Sequence, residues 1–188
     1  MLYTRKGDDG TTEDFKGDGR HSKNSIKSET LGTLDELNSF LGLVKVKAKN
    51  SGLSFKEKGI DLMVHEVQKN LFIVQAELAG AEKNITEDKI KEMEEMIDSI
   101  EKTLPELKQF AISGGTEMNA LLHTARTIAR RAERKTVAYH EEVQKLGENT
   151  RKYMNRLSSL LYALARLSNY LSGINEESPD YKIGRAHV

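Results

Sequence analysis

The 188-residue sequence predicts an all-α protein, a five-helix up-and-down bundle preceded by a glycine-rich loop. Three observations support this fold class. Apolar residues recur at helical spacing in five long segments, prolines are confined to Pro105 and Pro179, and charged residues far outnumber aromatic ones. No segment shows a convincing strand period of two. We therefore predict a single domain, with a loop over residues 1–27, a bundle over 28–172 and a tail over 173–188.

The first 27 residues have neither helical nor strand periodicity. Glycine and aspartate crowd this segment, and both residue types favour turns. A loop is therefore predicted. The residues concerned are Gly7, Asp8, Asp9, Gly10, Asp14, Gly17, Asp18 and Gly19.

The next segments predict three helices. The first covers about 28–49, the second about 55–81, and a third begins after Thr86, a capping residue, and stops near Pro105. Their apolar seams are Leu31, Leu34, Leu37, Leu41 and Val44; Ile60, Val64, Val67, Leu71, Val74 and Leu78; and Ile90, Met93, Ile97 and Ile100.

Two further helices follow a connection over residues 105–115. The fourth helix is predicted over about 116–143 and the fifth over about 148–172, with Gly147 between them. The inward-facing residues are Leu121, Leu122, Ala125, Ile128, Ala129 and Ala132 in the fourth helix, and Leu157, Leu160, Leu161, Leu164, Leu167 and Leu171 in the fifth.

Composition excludes several classes of protein. Lys plus Arg and Asp plus Glu both total 29, and this balance argues against a nonspecific nucleic-acid or membrane binder. Without cysteine there is no disulfide or thiolate metal site, and the five histidines form no HExxH motif. The N-terminus lacks an apolar signal region and the longest apolar stretch, LFIVQAELAGA, is too short to span a bilayer, so a cytoplasmic protein is expected. No nucleophile motif occurs, so a reactive atom would belong to a bound molecule.

The fourth helix contains the stretch TARTIARRAERKT, in which four of the five cations are arginine. Arg130 and Arg134 follow Arg126 at about 40° and 80° around the helix axis, and Arg131 lies on the flank. This pattern fits a solvated face with ion pairs such as Arg130–Glu133, or a clamp for a polyanion, since forked guanidinium groups suit phosphate. The predicted polar stripe is Asn119, His123, Arg126, Arg130, Glu133 and Arg134.

Three other stretches leave alternatives open. The segment YTRKGDDGTTEDFKGDG fits either a surface loop or an anion-binding nest, in which Asp8 and Asp9 would hold Mg²⁺ or orient Lys6. In GTLDELNS, Thr33 and Glu36 have the spacing of a capping box. FAISGG is either an anion site at a helix N-terminus or an ordinary turn with a core phenylalanine.

Taken together and in order, six motifs resemble the PduO-type ATP:cob(I)alamin adenosyltransferases. They are TRKGDDGTT, HSKN, GTLDELNS, FAISGG, HTARTIARRAER and NRLSSLLYALAR, and they span residues 4 to about 169. The resemblance implies a five-helix bundle, a homotrimer with active sites between subunits, and transfer of the 5′-deoxyadenosyl group of ATP to Co(I) of a reduced corrinoid with release of triphosphate. Co(I) would then be the missing nucleophile.

The resemblance also implies roles for individual residues. Arg130, Arg131 and Arg134 would neutralise phosphate, and Glu133 and Asn155 would fix the nucleotide or Mg²⁺. Around the triphosphate, the loop would contribute Thr4, Lys6, Gly7, Asp8, Asp9, Gly10, Thr11 and Thr12, with Lys23 as a further contact.

On the corrinoid side, Phe110 resembles the hydrophobic wedge of the family, which displaces the lower axial ligand, and His123 would also contact the corrinoid. Asp35 would pair with Arg126 across a subunit boundary and so support catalysis. The chain departs from the family at EDFKGDGRHSKN, where a G-G-x-R pattern is usual and Asp18 replaces the second glycine. The resemblance assigns no role to the tail.

Two alternatives remain at this stage. One is a noncatalytic ATP- or corrinoid-binding bundle that delivers the cofactor to a cobalamin-dependent enzyme or works with a reductase. The other is a helical nucleic-acid binder, against which zero net charge and Glu133 both weigh.

Overall fold

The computed structural model describes residues 3–13, 17, 19–106 and 109–180. It confirms the all-α, five-helix bundle. The predicted loop residues Asp14 and Asp18, and tail residues 181–188, lie outside the described part. The helices are α1 (Ile26–Ser51), α2 (Ile60–Leu78), α3 (Glu87–Glu101), α4 (Glu117–Glu142) and α5 (Glu148–Leu171).

The helices do not pack in simple chain order. α1 lies between α2 and α4, and α5 lies between α4 and α3. No described helix combines the length and apolar character needed to cross a membrane.

The predicted apolar seams form the core. All six seam residues of α2 are buried, and Leu31, Ile97, Leu121 and Ile128 are partly buried against the same core. One prediction is wrong, because Leu171 retains 37% of its exposure. It is the last residue of α5.

The predicted capping box in GTLDELNS is also wrong. α1 begins earlier, at Ser25, whose side chain accepts a hydrogen bond from the Ser28 backbone N–H at 3.2 Å. Thr33 therefore lies inside the helix, where its hydroxyl donates to the Glu29 carbonyl, and Glu36 pairs with Arg131 of α4. The motif serves helix packing instead of helix initiation.

Two small antiparallel hairpins were not predicted. Strands β1 (Thr11–Glu13) and β2 (Arg20–Ser22) lie inside the predicted N-terminal loop. Strands β3 (Ser54–Phe55) and β4 (Lys58–Gly59) precede α2, which therefore starts five residues later than predicted. Strands of two or three residues are too short to show a period of two.

The start of α5 is capped by a side chain from another helix. Glu77 of α2 accepts hydrogen bonds from the Gly147 backbone N–H at 2.6 Å and from the Thr150 hydroxyl. A carboxylate here satisfies a free N–H group and interacts favourably with the helix dipole.

Replacing Glu77 with alanine should lower the free energy of unfolding by about 1–2 kcal/mol, the usual range for a lost N-terminal cap. The midpoint of urea unfolding measures the effect. Glu77→Gln, which keeps one acceptor oxygen, should lose less. An unchanged midpoint in the alanine variant would contradict a capping role.

Candidate active site

The N-terminal segment forms a cationic cleft. The cleft has a volume of about 420 Å³, and four cations and two carboxylates line it. Seven predicted loop residues contribute to its lining, whereas Asp9 and Gly10 do not. The full lining is Thr4, Arg5, Lys6, Gly7, Asp8, Thr11, Thr12, Glu13, Arg20 and Lys23.

Internal hydrogen bonds fix the shape of this cleft. The Lys23 ammonium donates to the Gly7 carbonyl at 2.7 Å, and a Cβ on Gly7 would lie 2.8 Å from the same nitrogen. Asp9 accepts from both the backbone N–H and the hydroxyl of Thr11, at 2.9 and 2.7 Å. These bonds, with a contribution from Arg20, lower the pKa of Asp9. Asp9 thus orders the turn and does not orient Lys6.

Arg20 is a site residue that sequence reasoning missed. Its guanidinium donates to the Thr11 hydroxyl at 2.8 Å and to the carbonyl oxygens of Thr11 and Lys6, and it lies 3.5 Å from the Asp9 carboxylate. The available signal was the arginine that ends the family's G-G-x-R pattern, which this sequence keeps as Arg20 although Asp18 replaces the second glycine.

The arginines of α4 have different environments. Arg130 is exposed, and its guanidinium forms no hydrogen bond or ion pair with any described residue. The exposed Arg134 donates only to the Arg130 carbonyl, at 3.2 Å. Arg131, by contrast, pairs with Glu36 and joins α4 to α1. Arg130 and Arg134 are therefore the cations available to an external anion.

Glu133 is held by α5 and forms no pair with Arg130. Its carboxylate accepts from the Asn155 side-chain amide at 2.9 Å, and the Asn155 oxygen accepts in turn from Arg156. The predicted ion pair within the stripe is therefore replaced by a contact between helices. The contact brings together Glu133 and Asn155, the two residues for which the resemblance implies a nucleotide or Mg²⁺ site, and that role stays a prediction. No described residues form a cluster of three or more potential metal-binding His, Asp or Glu side chains.

The first turns of the polar stripe are buried, so the solvated face, one of the two alternatives for the stripe, does not extend to this end of α4. Asn119 is 1% exposed, donates to the Ala165 carbonyl at 2.8 Å and accepts from the Gly114 N–H at 2.7 Å. His123 is 6% exposed and packs edge-on against Tyr162, with ring centroids 5.8 Å apart. At this end α5 covers the stripe.

His123 is held in its neutral form. Burial lowers its pKa below the usual value of 6.5, the Arg126 guanidinium lowers it further, and Glu176 opposes the shift. The Nδ1 atom accepts a hydrogen bond from Arg126 Nε at 3.3 Å, which requires that nitrogen to be unprotonated.

An NMR titration of the imidazole should therefore give His123 a pKa below 6.5. Because the unfolded chain binds this proton at higher pH, the stability linked to neutral His123 is complete above pH 6.5 and is lost as pH falls towards the folded-state pKa. The His123→Asn variant, which lacks this imidazole, identifies the resonance of His123 among those of the other histidines. A midpoint at or above 6.5 would contradict the burial argument.

Phe110 lies on the connection between α3 and α4 and is 81% exposed. The alternative of a core phenylalanine is therefore wrong. Thr116 caps α4 by accepting from the Asn119 N–H at 3.1 Å. The connection that bears Phe110 therefore joins α4 at Thr116, which lies about 21 Å from Arg130 along the helix axis at 1.5 Å per residue.

Asp35 and Arg126 do not meet within one chain. Asp35 is exposed on α1 and forms no bond with a described residue, while Arg126 bonds to His123 on the side of α4 that faces α5. The neighbouring Glu36 occupies the contact between α1 and α4 instead.

The cleft and the exposed arginines of α4 share no bond among the described residues of one chain. The hairpin borders the start of α1 and Ala79, just after α2, whereas α1 separates α2 from α4. None of residues 3–13 bonds to α4. One chain therefore presents three separate surfaces, namely the cleft, the Arg130–Arg134 face and the Phe110 connection.

Comparison with known proteins gives the same assignment along nearly the whole chain. The sequence model of the family described as cobalamin adenosyltransferase matches residues 2–168. The corrinoid adenosyltransferase of Bacillus subtilis is 38% identical over 179 residues, covering 93% of this chain and 90% of that protein. The mouse corrinoid adenosyltransferase is 32% identical over 184 residues, covering 94% and 76%.

Solved structures agree with the sequence relatives. One of them is the PduO-type ATP:corrinoid adenosyltransferase from Lactobacillus reuteri, in a variant that has alanine in place of a phenylalanine and is complexed with cobalamin and ATP. It matches this chain with a TM-score of 0.84 and 31% identity, covering 95% of this chain and 99% of that one. The corresponding histidine variant, with the same ligands, has a TM-score of 0.85.

Proposed function

Because the chain belongs to the cobalamin adenosyltransferase family, we propose that it transfers the 5′-deoxyadenosyl group of ATP to cob(I)alamin. The Co(I) electron pair forms the cobalt–C5′ bond while the C5′–O bond breaks, and the bonding electrons leave with triphosphate. The observation that carries the proposal is the coexistence of a cationic cleft and two exposed arginines of α4, neither in an ion pair with a described residue, in a chain that matches this family over residues 2–168. The protein itself needs to supply no nucleophile.

The cleft is our proposed triphosphate site. Lys6 and Arg5 bring charge, Thr4 and Thr12 bring hydroxyl donors, and the bonds of Arg20 and Lys23 preform the turn. A preformed set of donors loses little conformational freedom on binding, which favours both affinity and orientation. In this proposal residues 1–27 form the nucleotide-binding loop, 28–172 the bundle and 173–188 the tail.

Arg130 and Arg134 are proposed to neutralise the charge that develops on the leaving triphosphate. Mg²⁺ would share this role when bound. Because Mg²⁺ usually takes only one or two protein carboxylates and otherwise binds phosphate and water, Glu133, held by Asn155, fits such a contact. Arg131 stays a predicted ATP ligand, although its pairing with Glu36 favours a role in joining the helices.

The corrinoid is proposed to bind against Phe110 and near His123, beside the first turns of α4. An exposed phenyl ring can replace a polar axial ligand at the lower face of the corrin because it excludes water and donates nothing to cobalt. Neutral His123 adds no charge to this face.

We further propose that two neighbouring chains of a homotrimer form each site. The hairpin borders α1 and the end of α2, α1 lies between α2 and α4, and no described residue of 3–13 bonds to α4, which favours a ligand that joins the cleft of one chain to the Arg130 face of the next. The unpaired Asp35 would then meet Arg126 of the adjacent chain. The cytoplasmic location, and a reductase or cobalamin-dependent partner, stay predictions.

The proposed reaction is tested by mixing the protein anaerobically with ATP, Mg²⁺ and chemically reduced cob(I)alamin. We expect the absorption spectrum of an alkylcobalamin that reverts in light. Tight binding of ATP and corrinoid without this product would favour the noncatalytic carrier instead.

Subunit complementation tests the shared site. Lys6→Ala chains and Arg130→Ala chains should each be inactive when refolded alone. An equal mixture of the two, refolded together, should regain about a quarter of wild-type activity. The reason is that random mixing places an intact loop beside an intact arginine at about a quarter of the interfaces between chains. Each variant refolded alone is the control. A mixture no more active than its components would place both residues in one chain's site.

A further inference from the structure

Arg166 of α5 joins two segments that are distant in sequence. Its Nε donates to both carboxylate oxygens of Glu176, at 3.1 and 2.9 Å, and its Nη2 donates to the Pro105 carbonyl at 2.8 Å. The side chains of Arg166 and Glu176 are only 10% and 17% exposed. We call these three groups the Arg166 clasp.

The C-terminal segment also bonds directly to the connection that bears Phe110. The Ile112 backbone N–H donates to the Glu177 carbonyl at 2.7 Å. The contact fixes the chain two residues beyond Phe110, while the Arg166 clasp fixes it five residues before. The phenyl ring therefore lies between two anchored points although it is itself exposed.

Asn169 strengthens the second anchor. Its amide donates to the Gly114 carbonyl at 2.9 Å, and its oxygen accepts from the Thr116 hydroxyl at 3.0 Å. Gly115 has a φ of +94°, and a Cβ there would lie 2.9 Å from Ile174. The end of α5, the C-terminal segment and the connection are thus packed as one unit.

Helix packing alone does not account for the clasp. A nearly buried ion pair stabilises a fold little, because the loss of hydration offsets much of the attraction between the charges. What such a pair does provide is a fixed geometry, since its forked donors meet two oxygens and a carbonyl in one arrangement. Here the geometry being fixed is that of the segment presenting Phe110.

We propose that Arg166 and Glu176 are positioning residues that set the place of Phe110 against the corrinoid, so that the C-terminal segment is part of the corrinoid half of the site. The inference rests on the proposed function. It implies that the clasp affects binding of the corrinoid more than binding of the nucleotide, because its bonds reach the connection that bears Phe110 and none of its residues lines the cationic cleft.

Glu176→Gln, which keeps the shape and removes the charge, tests the proposal. We expect the KM for corrinoid to rise about tenfold while the KM for ATP stays within twofold of wild type, by analogy with other small misplacements of a substrate-orienting group. The spectrum of bound cob(II)alamin should also shift towards the form that retains its lower axial ligand. Glu148→Gln is the control, because it removes the carboxylate partner of another cation of α5, Lys152.

Arg166→Lys decides the question if Glu176→Gln does not fold, because lysine keeps the charge but cannot make all three contacts. Glu176 or Arg166 variants that behave like Glu148→Gln would overturn the inference. Phe110→Ala separates this failure from that of the proposed function. If Phe110→Ala changes the cob(II)alamin spectrum and the clasp variants do not, only the positioning role is wrong. If wild type forms no alkylcobalamin, or Phe110→Ala leaves the spectrum unchanged, the proposed corrinoid site fails and the inference with it.

Discussion

Replacing Arg130 with alanine should reduce kcat/KM for adenosyl transfer by about 10²- to 10³-fold, the range expected when one charged group that stabilises a transition state is removed. The structural basis is that its guanidinium is exposed and bonds to no described residue. The substitution therefore removes nothing from the fold, and the leaving triphosphate is the partner that would be lost. Arg130→Lys should recover part of the activity, because lysine restores the charge but not the forked geometry.

The matched control is Arg151→Ala, which removes an exposed arginine of α5 outside the proposed site. It should retain wild-type kcat/KM, and both variants should keep the wild-type Tm. If kcat/KM of the Arg130→Ala variant stayed within twofold of the wild-type value, Arg130 would be part of a solvated helix face and would have no role in adenosyl transfer.

Phe110→Ala should have the second large effect. A phenylalanine that becomes buried against a ligand contributes about 2–3 kcal/mol, which corresponds to a loss of roughly 30- to 150-fold in kcat/KM for the corrinoid. Because the ring is 81% exposed in the free chain, its removal should leave the free energy of unfolding unchanged. Steady-state kinetics with varied cob(I)alamin and urea unfolding measure the two quantities.

Phe72→Ala provides the comparison, since this phenylalanine of α2 is 64% exposed and lies outside the proposed site. It should change neither quantity. An equal loss in both variants would mean that exposed phenylalanines support the assembly in general, and that Phe110 has no special place beside the corrinoid.

The helices could be predicted because their signal is local. A seam such as Ile60–Val64–Val67–Leu71 repeats at helical spacing, and all four residues are buried. The helix boundaries were harder to predict. Thr33 and Glu36 have capping-box spacing yet lie inside α1, where Thr33 bonds to the Glu29 carbonyl of the same helix and Glu36 pairs with Arg131 of α4. The two hairpins are held by turns and by a few paired residues, which leave no periodic pattern.

The site could be predicted in part. Residue types and motif order identified the loop, the arginines and Phe110, but they did not separate the unpaired Arg130 from the paired Arg131. That difference arises from how α1 lies against α4. Arg166 and Glu176 meet only because the chain beyond α5 folds back, and no spacing in the sequence reports such a contact.

The most direct test of adenosyl transfer is the phosphorus product. Attack of Co(I) at C5′ leaves all three phosphates joined, whereas attack at phosphorus would split them. We predict that ³¹P NMR of the anaerobic reaction will show intact triphosphate in amounts equal to the alkylcobalamin formed. Orthophosphate or diphosphate in its place, or triphosphate without a cobalt–carbon product, would contradict the account.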